Sequence, residues 1–65
     1  MQMQEKTMVS DTLAGINGEL VRYAEMIPQT ENKELKQVLG AGSYLAFHAG
    51  QLFSYFLNHL DISFP

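Results

Sequence analysis

From Gln37 to Leu60 the chain carries no formally charged side chain when both histidines are neutral. A run of this length has three physical readings. It can cross a bilayer, it can open with a glycine turn that cradles a nucleotide, or it can be one helix whose broad apolar surface other helices cover. The choice among them bounds the fold.

A span over residues 40–60 has the required length, but it would place His48, Gln51, Asn58 and His59 in hydrocarbon, where polar groups are costly. Lys36 is the last positive charge, so no basic girdle closes the far end. The nucleotide reading needs a third small residue after Gly40 and Gly42, and Leu45 stands there. Asp61 lies at about the distance of a ribose-binding acid, yet the strand-like Ile62-Ser63-Phe64 follows it instead of preceding it. Helix packing remains. Gly42, Ala46 and Gly50 recur every fourth residue and leave one ridge of the helix nearly bare, so that a neighbouring backbone can come close.

The first half of the chain supplies such a neighbour. Val9, Leu13, Ile16, Leu20, Tyr23 and Ile27 alternate steps of four and three, which lines up one helical stripe, while Ser10, Asp11, Glu19, Arg22 and Glu25 take other faces. The pair Asn17-Gly18 is a hairpin signal, but the flanking residues keep the helical period, so a helix with interior glycines is expected at about 1 kcal/mol each relative to Ala. Pro28 disfavours a helical Ile27, which ends the first helix near Met26 or Ile27. Thr30 and Asn32 are candidate N-caps for the second helix, with Glu31 and Glu34 beside its positive end.

The second helix carries two adjoining apolar stripes. One runs through Leu35, Val38, Gly42, Leu45, Ala49, Leu52, Phe56 and Leu60, the other through Leu39, Ala46, Phe53 and Leu57. One narrow seam on the first helix cannot cover both. With 65 residues and no cysteine, neither a large core nor a disulfide is available, so self-association is the expected remedy.

The stretch MVSDTLAGINGELVRYAEMIPQTENKELKQVL, residues 8–39, resembles the N-terminal helical hairpin of spore coat proteins of the coat protein F type, found in endospore-forming bacteria. "MVSDTL", "YAEMI" and "ENKELKQVL" carry the likeness. It implies a ferritin-like helical arrangement and a structural or assembly role, with no family active-site residues to transfer. The sequence departs from that pattern after Leu39, where such proteins continue with a polar, Glu- and Gln-rich helix.

Chemistry-bearing residues are sparse. A di-iron centre of the ferritin-like kind needs Glu-x-x-His pairs, but Arg22 stands where Glu19 would need a histidine, and the second helix has no acid between Glu34 and Asp61. Tyr44, His48, Gln51, Tyr55 and His59 lie along one side of the second helix. Without a nearby acid to orient either histidine, they are expected to edge the apolar face with their polar tips in water. Ser10, Thr12 and Ser43 lack a histidine-acid arrangement. No catalytic, cofactor-binding or metal-ligating residue is identified, and no enzyme is expected.

The net charge of −3 and a pI near 5.0 leave no basic footprint for nucleic acid. The start MQMQEKT has neither the basic nor the apolar region of a secretory signal, so a cytoplasmic product is expected, and the resemblance of residues 8–39 implies the spore coat as a further location. The expectation is thus an all-α antiparallel two-helix hairpin: a helix over about 7–27, a turn at 28–32 and a helix over about 33–60. Dimerisation completes it to a four-helix bundle. The expected interface residues are Gly42, Ala46, Gly50, Phe53, Phe56 and Leu57, and the expected partners are a second copy and other coat proteins. The competing function is a peripheral membrane or regulatory peptide that uses the apolar second helix.

Overall fold

The computed structural model describes residues 2–63. Two α-helices, α1 (Met3–Gln29) and α2 (Lys33–Ser63), pack against each other as a hairpin, and no strand occurs among the described residues. Both are longer than the sequence spacing suggests. α1 begins at Met3, where the Gln2 N–H donates to Glu5 Oε1 at 3.1 Å and the Lys6 N–H donates to the Gln2 carbonyl at 3.0 Å, so the polar start is drawn into the first turn.

The far end of α1 departs further from expectation, because the helix runs through Pro28 to Gln29 instead of stopping near Met26. Proline there removes one helical donor, but only in the last turn, where few bonds remain to be lost. Thr30 closes that turn: its N–H donates to the Ile27 carbonyl at 3.2 Å and its hydroxyl donates to the Met26 carbonyl at 2.8 Å. Thr30 therefore serves the end of α1 and does not cap α2. Asn32 is the cap of α2, its Oδ1 accepting from the Leu35 N–H at 2.9 Å, with Glu34 in the first turn facing the positive end of the dipole. α2 continues to Ser63, so Asp61 and Ile62 are helical and not strand, while Phe64 lies outside the described residues.

The expected α1 seam is the one the structure uses. Val9, Leu13, Ile16, Leu20, Tyr23 and Ile27 are all half-buried between exposed neighbours. On α2 the half-buried side is made by Leu39, Gly42, Ala46, Ala49, Phe53 and Leu57, and Gly50 is the one buried position among the described residues. The hairpin is a rod, 51 Å long and 15 by 12 Å across, with a radius of gyration of 15.0 Å. A compact chain of this length would have about 11 Å. Two helices side by side make a single layer, and among the described residues no hydrophobic side chain is fully enclosed.

Candidate functional site

The geometry of the helix contact decides which apolar residues remain available. A Cβ built on Gly42 would sit 2.6 Å from Tyr23 Oη and 3.0 Å from its Cζ, so the tyrosine ring lies directly over the glycine. At Gly50 the same atom would meet Ile16 Cγ2 at 3.4 Å and Leu13 Cδ1 at 3.9 Å, which is ordinary contact. At Gly40 it would meet nothing within 4 Å. The small-residue ridge thus receives α1 of the same chain.

This places the expected interface residues differently from the sequence reading. Gly42, Ala46, Gly50, Phe53 and Leu57 lie on the side of α2 that α1 half-covers, and of the six only Phe56 belongs to the open side. The reason is helical phase. The two stripes on α2 are offset by about one residue, roughly 100° around the axis, and α1 takes the one through Leu39, Ala46, Phe53 and Leu57.

Of the other stripe, Gly42 and Ala49 are half-buried and the large side chains are left bare. Leu35 is 50% exposed, Val38 66%, Leu45 66%, Leu52 60% and Phe56 46%, and together they run along nearly the whole described length of α2. Toward the open end of the hairpin the stripe dips into an apolar groove of about 430 Å³ lined by Val9, Ala49, Leu52, Phe53 and Phe56. Val9 comes from α1 and the other four from α2, so the groove spans the two helices. A bare surface of this extent is a recognition surface or a liability.

Beside it runs the aromatic-histidine row. Tyr44 and His48 have parallel rings 6.4 Å apart between centroids, and Tyr55 and His59 stack at 3.6 Å. The His59 Nδ1–H donates to the Tyr55 carbonyl at 2.9 Å, one turn back, so that ring is held along the helix. All four side chains, and Gln51 between them, are exposed. Each ring pair is made within α2. Among the described residues no group of three or more histidine and acidic side chains is placed to hold a metal ion. The arrangement offers apolar area edged by polar rings, which suits binding a surface.

Comparison with known protein families, characterised proteins and solved structures returns no match. The likeness of residues 8–39 to spore coat proteins therefore rests on its own residues. Among the described residues no helix is long and apolar enough to cross a membrane.

Proposed function

We propose that the protein is a structural or assembly component that works by helix–helix association, in the manner of the spore coat proteins that residues 8–39 resemble. The observation that carries this reading is the bare stripe Leu35, Val38, Leu45, Leu52 and Phe56 on a hairpin that encloses no hydrophobic side chain among its described residues. Burying such a stripe is worth about 25 cal/mol per Å² of apolar area, which is the main driving force open to a chain this small. The bundle that results when a second hairpin covers the stripe has four helices.

Mass in solution, measured by light scattering behind a sizing column over a wide concentration range, tests association. A dimer or small discrete oligomer is expected. A folded monomer at every concentration would overturn it, and particles dispersed only by detergent or lipid would transfer the stripe to a membrane surface. The coat role is tested separately, by whether the chain fractionates with the insoluble coat layer of spores of its source organism.

A further inference from the structure

We propose that two copies pair α2 against α2 in antiparallel orientation, about a two-fold axis that passes beside Leu45. This rests on the self-association reading and specifies its geometry. Of the three-and-four-spaced positions 35, 38, 42, 45, 49, 52 and 56, Gly42 lies under Tyr23 of its own α1 and Ala49 is half-buried, so the side chains offered to a second copy are Leu35, Val38, Leu45, Leu52 and Phe56. Their sizes are symmetric about Leu45. Turning a second copy end over end sets Leu35 opposite Phe56, Val38 opposite Leu52, and Leu45 opposite itself. The large side chains then fall at both ends, so the two helices keep an even separation. A parallel pair would instead stack Phe56 on Phe56 at one end and Val38 on Val38 toward the other, forcing a taper.

Charge favours the same choice. Glu34 lies in the first turn of α2 at the edge of the stripe, and a parallel pair would bring it against its own copy, whereas an antiparallel pair keeps the two at opposite ends. Between Lys36 and Asp61 the helix is without formal charge, so nothing repels across the rest of the seam. The area is also sufficient. The chain exposes 5304 Å², about 1,100 Å² more than the ~4,200 Å² expected of a compact monomer of 7.3 kDa. A standard interface takes about 800 Å² from each partner.

Single cysteines test the register, since the chain has none of its own. Leu45→Cys is expected to pass largely into a disulfide-linked dimer under mild oxidation, because the axis brings the two positions within bridging distance. Val38→Cys and Leu52→Cys should each stay unlinked alone and form a mixed dimer when combined, since on one helix the two sites lie about 21 Å apart. Phe47→Cys, exposed on another side of α2, is the unlinked control. Self-linking at Val38→Cys and Leu52→Cys would establish a parallel pair and overturn the proposal. An oligomer of unchanged mass with no link at Leu45→Cys would overturn this register and leave association standing, while a monomeric parent chain would remove both. Should a cysteine variant lose its helical circular dichroism, isotope-filtered NMR on a mixed-label sample of the unsubstituted chain reads the same geometry. It would show Val38 methyls contacting Leu52 methyls of the second copy, and their absence from an established dimer counts against the pairing.

Discussion

Single residues define how closely the two helices approach. The three glycines of α2 form a graded series: replacement by Ala relieves the helix of a flexible residue in each case, but what the new methyl meets differs. Gly40→Ala projects into open space and is expected to stabilise the hairpin by about 0.5–1 kcal/mol. Gly50→Ala makes ordinary contact with Ile16 and should be stabilising or neutral. Gly42→Ala forces the Tyr23 ring to swing away, and the overpacking is expected to reverse the gain to a net loss of about 1–2 kcal/mol. Urea denaturation midpoints of the three variants check the order. The four-residue spacing of Gly42, Ala46 and Gly50 is legible in the sequence. That only Gly42 needs to be bare is not, because it follows from where a tyrosine nineteen positions earlier on the other helix lays its ring. Asn32 also acts locally, as the cap of α2. Asn32→Ala leaves the Leu35 N–H without its acceptor and should cost about 1 kcal/mol by the same measurement.

At the level of the helices, the two apolar stripes of α2 have different roles under the proposed pairing, and acidic substitutions separate them. Phe53→Asp places a carboxylate beside Val9 on the side that α1 half-covers, so it is expected to loosen the hairpin itself, with loss of helical circular dichroism and a cost of about 2–4 kcal/mol. Leu45→Asp changes a side chain that is mostly in water within one chain, so helicity should persist at concentrations where association is lost. Equal losses of helicity in both variants would mean that the chain does not hold its hairpin without a partner. The α1 seam can be read from spacing because α1 has one apolar stripe and so one way to face a neighbour. α2 has two, and periodicity alone does not say which is taken; α1 lies over Leu39, Ala46, Phe53 and Leu57 and reaches Gly42 of the adjoining stripe as well. The expected stop at Pro28 fails for a related reason. The rule that proline ends a helix assumes an interior position, and in the last turn Thr30 supplies the closing bonds.

For the whole molecule, the proposed association would tie stability to the number of chains present. If the bare stripe is covered by a second copy, the midpoint of thermal unfolding should rise with protein concentration, and differential scanning calorimetry at several loadings reads that dependence directly. A midpoint independent of concentration would place the whole of the stability within one chain.

The three-residue connection has a consequence for time as well as for shape. Thr30–Asn32 joins the helix ends, and Tyr23 over Gly42 lies nearer this turn than Ile16 with Gly50 or the groove that Val9 and Phe53 line. Each contact made near the turn shortens the loop that the next must close, so the hairpin assembles as a zipper from Asn32 outward and opens from its free ends inward. Amides around Tyr23 should therefore exchange with solvent more slowly than those around Val9. Leu45 sits toward the early-closing half of that zipper, so under the proposed pairing a second copy would meet it before the chain ends have settled.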